Sequence, residues 1–420
     1  MTSAYIESYG CTANTNHANF MRYLLKKEGF YITKSMDRAD IIIINTCVVK
    51  QQTENKIISR IKCIKERFPD KILLITGCAV DAEYEYFKHI AGKAIFLSSH
   101  HTKDLIYAIK TGRDILGKRM EEKFFPHSCG VTHITEISQG CLGNCSFCIT
   151  KNARGQLVSY SEASIIKDIE AAVRNGAKEI LLTSQDNACY GLDRGTNLPR
   201  LLKRICNIGG EFFIRVGMMN PLHIKGFLHE LIDAYKDKKI YKFIHIPVQS
   251  GSDKILSLMN RGYKVSDFIR IIEEFRAAYP DLTLSTDIIV GFPYEKEEDF
   301  KKTIKLVKYL KPDVVNLSKF TVRKGTAAEK MKKIPSKVIK RRAREMATII
   351  GRISKERNKK WAGWKGKILI VERGKHRNQF IGRNYAYKPV VVETKKNIMG
   401  SLVRVEINSY AQTHLFGDII

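Results

Sequence analysis

Apolar residues along the first part of the chain fall into short runs separated by segments of helical spacing. Ala4-Tyr5-Ile6-Glu7-Ser8 alternates as a half-buried strand does. Asp40-Ile41-Ile42-Ile43-Ile44 and Lys71-Ile72-Leu73-Leu74-Ile75 are near-continuous apolar runs, the pattern of a strand covered on both faces. Ala94-Ile95-Phe96-Leu97 reads as a fourth strand, and Asn19 to Glu28 and Glu54 to Phe68 read as intervening helices. This alternation predicts an open parallel α/β sheet over residues 1–115. Mixed charge without periodicity marks a linker over 116–132. Strand and helix signals then alternate over 133–360, with strands at Glu179-Ile180-Leu181-Leu182-Thr183, Phe212-Phe213-Ile214-Arg215-Val216, Phe243-Ile244-His245-Ile246 and Thr283-Leu284-Ser285-Thr286-Asp287. Such repetition predicts a full or partial (β/α) barrel, with its site at the C-terminal strand ends. The segment Ser336 to Lys360 is a basic helix. From 361 to 420, short β-runs punctuated by Gly (Lys367–Val371, Pro389–Val392, Leu402–Val405) predict a small all-β barrel.

Charge sharpens this picture of an α/β multidomain protein. A formal net charge of +29 is far more than a neutral metabolite requires and suits a polyanion, nucleic acid ahead of an acidic membrane surface. No apolar run reaches the ~20 residues of a membrane span, and Met1 to Glu7 lacks the basic and apolar regions of a signal peptide, so a cytoplasmic protein is expected. In that compartment the ten cysteines are expected to serve metal or catalysis rather than disulfides.

Two cysteine constellations carry the chemistry. Cys141-Leu142-Gly143-Asn144-Cys145-Ser146-Phe147-Cys148 places three thiolates on one short loop, enough to ligate three irons of a cubane. A structural zinc site wants four ligands, which a triplet does not supply. The second set is dispersed: Cys11 after Tyr9-Gly10, Cys47 after Asn45-Thr46 and Cys78 after Thr76-Gly77, each just beyond a predicted strand. In a parallel sheet those ends share one edge, so the three can converge on a second cluster. Of the remaining cysteines, Cys63 and Cys206 read as helix core, Cys129 lies in the linker, and Cys189 is assigned no direct role.

The Cys-x3-Cys-x2-Cys spacing with an aromatic before its last cysteine resembles the radical S-adenosylmethionine (SAM) superfamily. Two triplets in this order resemble its methylthiotransferase family over essentially the whole chain. Further matches are Asn152-Ala153-Arg154-Gly155, Arg215 to Pro221, His245 to Asp253 and Thr286 to Pro293. Asn152 stands where the family has His, Tyr294 where Gly is common and Ala327 where Pro is common. The resemblance implies a methylthiotransferase domain, a radical SAM partial barrel and a C-terminal TRAM-like domain. It implies two 4Fe–4S clusters, on Cys141, Cys145 and Cys148 and on Cys11, Cys47 and Cys78, with SAM used both as methyl donor and as radical source. It also points Gln185, Asp186, Arg215 and Gln249 at SAM, where a guanidinium suits a carboxylate and amide or carboxylate groups suit ribose.

Three substrates divide the family: isopentenyladenosine in tRNA, threonylcarbamoyladenosine in tRNA, and an aspartate of a ribosomal protein. From Trp361 to Ile420 ten Lys/Arg face four Asp/Glu, which favours RNA over a basic protein. The stretch Phe320 to Met331 resembles the threonylcarbamoyl group. The expected reaction is methylthiolation at C2 of N6-threonylcarbamoyladenosine beside the anticodon (adenosine-37), with tRNA and an electron-donor protein as partners and the sulfur donor and oligomeric state open. An iron–sulfur RNA-binding protein that does not cleave SAM is the non-enzymatic alternative.

Overall fold

A computed structural model describes residues 2–119, 122, 124 and 130–420; Cys129 and part of the expected linker lie outside them. Five parallel strands open the chain: β1 (Ser3–Ser8), β2 (Tyr31–Ile32), β3 (Ile41–Thr46), β4 (Ile72–Gly77) and β5 (Ile95–Leu97), in the order β2-β1-β3-β4-β5. The run Ile41 to Ile44 is almost wholly sequestered because helices cover both faces of β3. These include α1 (Thr12–Lys27), α2 (Gln51–Arg67) and α3 (Cys78–Ala91). Register pairs Ser8 with Asn45 and Asn45 with Thr76, so the chain leaves all three central strands at one level of one edge.

The central unit contains β6 (Thr132–Glu136), an antiparallel pair of β7 (Ser138–Gln139) and β8 (Val158–Ser159), then β9 (Glu179–Thr183), β10 (Phe213–Val216), β11 (Phe243–His245), β12 (Thr283–Val290) and β13 (Val314–Lys319). Parallel pairing runs β6-β9-β10 and β11-β12-β13. Bonds from the Ile214 amide to the Lys239 carbonyl (2.7 Å) and from the Tyr241 amide to the Ile214 carbonyl (3.0 Å) join the two halves. Six parallel strands thus follow one another in chain order as a partial (β/α) barrel, their outward apolar residues packed on helices in one core.

A closed five-stranded barrel ends the chain: β14 (Lys365–Arg373), β15 (Gln379–Arg383), β16 (Pro389–Glu393), β17 (Leu402–Tyr410) and β18 (Leu415–Ile419). Tyr387 wedges its ring against Tyr241 and Phe243, and the buried Lys388 ammonium donates to Asp313 (2.8 Å). Arg357 of the helix Ser336–Lys359 adds a second cation at Asp313 (3.0 Å). Among the described residues no helix is long and apolar enough to cross a membrane.

Candidate functional site: two cysteine triplets and the cavity between them

Cys47 and Cys78 directly follow β3 and β4, and Cys11 precedes α1. All three therefore stand at the shared edge of the sheet. Two glycines make this possible. Gly10 (φ 103°) and Gly77 (φ 91°) occupy conformations that side chains rarely adopt, and a Cβ on Gly10 would lie 2.7 Å from Cys47 Sγ. Cys47 and Cys78 are buried whereas Cys11 is exposed. Burial pushes the Cys78 thiol up to about 12, opposed by the neighbouring Arg154.

Arg154 comes from the central unit, at the end of the short helix Ile149–Arg154 whose N-cap is Cys148. Its Nη2 lies 3.5 Å from Cys78 Sγ and donates to Asn14 Oδ1 at 3.1 Å, while Nη1 stands 3.4 Å from His17 Nε2. His17 Nε2 in turn is 3.4 Å from Glu136 Oε2 on β6. The Asn14 amide donates to the carbonyls of Tyr9 and Thr46, both at 2.7 Å, and so braces the loops on either side of Cys11 and Cys47. Arg154 is 3% exposed, and its Nε has no protein partner. A buried cation with a spare donor, set among three free thiols, fits an anionic thiolate-bound iron–sulfur group.

The contiguous triplet has the same character. The Gly143 amide donates to Cys141 Sγ (3.2 Å) and Arg261 Nη1 donates to Cys145 Sγ (3.1 Å). Arg261 is fixed by bonds to Asn220 Oδ1 (3.3 Å) and the Pro247 carbonyl (3.2 Å). The triplet fits a cluster in the same way, since donors aimed at sulfur favour thiolate. Phe147 packs edge-on against the buried Phe292, which anchors the loop between Cys145 and Cys148.

Between the triplets opens a cavity of about 510 Å³. Phe147, Cys148, Ile149 and Thr150 form one wall, and Val49 to Gln52, just after Cys47, form another; Gln249, Asp287, Asn316, Lys319 and Arg323 also line it. Burial would raise the Asp287 carboxyl, but hydrogen bonds from His245 Nε2 and Asn316 Nδ2 (each 2.8 Å) and the nearby Lys50 hold it below the usual carboxylate range. Arg323, itself buried, donates to Glu54 and to Gln51 Oε1 (3.1 Å), tying the cavity's floor to α2.

The four residues expected to meet SAM are placed differently from one another. Gln249 lines the cavity with its Oε1 buried and without a protein partner. Gln185 accepts from the Gly140 amide at 2.6 Å, holding the start of the Cys141 loop. Asp186 accepts from the amides of Ala188 (3.0 Å) and Asn220 (2.9 Å), so its carboxylate fastens two strand-end loops together. Arg215 is half-buried, its guanidinium over the Phe243 ring (5.3 Å). Two cysteines depart from expectation. Cys63 is exposed, because Ile57, Ile61 and Ile64 set the buried face of α2. Cys189 is buried, and with Asp186 and Cys141 it brings three ligand-type atoms within 4.8 Å of one another. A hydrogen bond from Cys189 holds the Cys141 thiol below its ordinary range.

Known proteins resemble this chain in sequence and in fold. Residues 135–307 match the model of the radical SAM superfamily and residues 3–98 that of the uncharacterized protein family UPF0004. A Methanothermobacter thermautotrophicus protein named probable threonylcarbamoyladenosine tRNA methylthiotransferase is 40% identical over 422 residues, 99% of each chain. The threonylcarbamoyladenosine tRNA methylthiotransferase of Homo sapiens is 32% identical over 418 residues, 96% of this chain and 71% of that one. Among solved structures, the radical SAM methyltransferase TsrM of Kitasatospora setae shares the fold at a TM-score of 0.58 and 14% identity, over 78% of this chain and 77% of that one. With full-length relatives of this identity, both family models in place and the radical SAM fold, the chain belongs to the threonylcarbamoyladenosine tRNA methylthiotransferase family of radical SAM enzymes.

Proposed function

We propose that this chain methylthiolates C2 of N6-threonylcarbamoyladenosine beside the anticodon of tRNA, taking both the methyl group and the radical from SAM. The observation that carries the reading is the cavity with Cys148 in one wall and the segment following Cys47 in another. When bound, a 4Fe–4S cluster on Cys141, Cys145 and Cys148 supplies the electron that cleaves SAM, and a second on Cys11, Cys47 and Cys78 supplies the sulfur centre. The chain's own groups place the reactants. Gly143 N–H and Arg261 stabilise the thiolates of the first set, and Arg154 those of the second. Gln249 presents its free Oε1 to SAM inside the cavity, as a hydrogen-bond acceptor. Phe147, Ile289, Leu317 and Phe320 give the cavity apolar surface that limits water around the reacting carbon.

An unpaired anticodon-loop base can be splayed into such a cavity at far lower cost than a duplex base. Exposed Lys365, Lys367, Arg373, Lys375, Arg377, Lys395, Lys396 and Arg404 on the C-terminal barrel suit the tRNA backbone. The reading also calls for an electron-donor protein and a cytoplasmic setting. It is tested by mass spectrometry of nucleosides in tRNA from cells lacking the gene. Loss of 2-methylthio-N6-threonylcarbamoyladenosine, with its unthiolated precursor accumulating, is expected; loss of the isopentenyl counterpart instead would redirect the substrate assignment.

A further inference from the structure

The lining of the cavity between the triplets has a definite polarity. Three cationic residues line it, Lys50, Lys319 and Arg323, against one acidic residue, Asp287. Asp287 is already engaged by His245 and Asn316. Lys50 and Lys319 are exposed, and neither side chain makes a hydrogen bond or ion pair among the described residues. Arg323 is only 5% exposed, yet its Nη2 has no hydrogen-bond partner, although its Nη1 serves both Gln51 and Glu54. An orphaned guanidinium N–H at a buried position costs free energy unless a ligand supplies an acceptor.

Lys50 caps the start of α2 and is close enough to Asp287 to help keep its carboxyl ionised. Lys319 ends β13, the strand paired beside β12, which carries Asp287. Gln51, Asn316, Ser318 and Thr321 add neutral hydrogen-bonding groups. An isopentenyl group could use none of these; a urea-linked amino acid with a free carboxylate and a hydroxyl could use most of them.

We infer that Lys50, Lys319 and Arg323 form an anion subsite that takes the carboxylate of the threonylcarbamoyl substituent. The inference rests on the proposed substrate and says which residues recognise it. Lys50 and Lys319 supply mobile charge at the rim, and Arg323 supplies an oriented donor at the floor. The subsite acts on binding and orientation of the base and takes no part in bond making.

The test uses the full-length reconstituted enzyme and three tRNAs: one with N6-threonylcarbamoyladenosine, one with its carboxylate masked as the methyl ester, and one with isopentenyladenosine. The wild type should prefer the free acid over the ester by about tenfold or more in kcat/KM, the worth of one charge-assisted hydrogen bond. In the Lys50→Met/Lys319→Met double variant, with wild-type iron content as the folding control, that preference should collapse toward unity through loss on the free acid. Arg323→Lys, which keeps a cation at Glu54, should narrow the preference in the same direction. A wild type indifferent to esterification would overturn the subsite while leaving the substrate standing. Variants slowed equally on acid and ester would also overturn it, assigning the lysines to phosphate contact. A wild type that modifies only the isopentenyl tRNA would overturn the substrate reading and the subsite together.

Discussion

Replacing Arg154 with Gln removes a buried cation that the central unit sets against the dispersed triplet. The guanidinium Nη2 is 3.5 Å from Cys78 Sγ, and the partner thiol is itself buried. At an effective dielectric of about 20, a unit charge at that distance is worth about 4–5 kcal/mol to a thiolate. Removing one partner of a buried charge pair costs about 3–5 kcal/mol in practice, a large part of a domain's typical ~5–15 kcal/mol. Gln would also take the cation out of the network in which Glu136, 0% exposed, meets His17 Nε2 and accepts from the Tyr160 hydroxyl. The Arg154→Gln variant should therefore lose the second cluster while keeping the first. Anaerobic reconstitution with iron analysis should fall from about eight to about four irons per chain, the content of one 4Fe–4S unit. SAM cleavage without tRNA should persist, because Arg261 and Gly143 serve the other triplet. Arg154→Lys should be intermediate, since one ammonium cannot reach Asn14, His17 and Cys78 in the fixed fork of a guanidinium. Full iron content and full methylthiolation in Arg154→Gln would refute the assignment of Arg154 to the cluster site.

Other outcomes follow from the same geometry. Gly10→Ala should deplete the second cluster selectively and lower the melting temperature, because its Cβ would meet Cys47 Sγ at 2.7 Å in a backbone with φ 103°. Burial would raise the Asp313 carboxyl, but Lys388 and Arg357 hold it below its usual range. A depressed folded pKa gives stability that is present above the unfolded value and lost as pH falls through the folded one. The docking of the C-terminal barrel should thus weaken below about pH 4, and melting curves of Asp313→Asn should show a lower, flatter pH profile. Neutralising Lys395 and Lys396, both exposed, should reduce the salt dependence of tRNA binding by roughly 0.7 in log–log slope for each phosphate contact removed; an unchanged slope would put the tRNA elsewhere.

The strands legible in the sequence are those with near-continuous apolar runs, such as Ile41 to Ile44, where burial on both faces leaves no ambiguity. The edge strand Tyr31–Ile32 has two residues and no pattern, and Val314–Lys319 alternates exposed with half-buried positions, so neither announces itself. Cys141 to Cys148 is a local motif and could be read as written. Cys11, Cys47 and Cys78 needed only the inference that successive parallel strands end on one edge, and Gly10 and Gly77 beside them carried the hint of crowding. What held those sites was not legible. Arg154 meets Cys78 across 76 residues and Arg261 meets Cys145 across 116, separations at which no spacing rule operates. At Cys63 the helical phase carries the signal, since Ile57, Ile61 and Ile64 point the core face elsewhere. Cys189 gave no signal, since its contact with Cys141 depends on two strand-end loops drawn together by Asp186.

The most direct test of the central claim incubates the reconstituted enzyme with SAM, a reductant and two tRNAs, one carrying N6-threonylcarbamoyladenosine and one isopentenyladenosine, and reads methylthiolation of each by mass spectrometry. A 2-methylthio product is expected on the threonylcarbamoyl tRNA, abolished by Ala at Cys11, Cys47 and Cys78 although SAM cleavage continues. Product on the isopentenyl tRNA alone, or methylthiolation that survives the loss of those three cysteines, would contradict that claim.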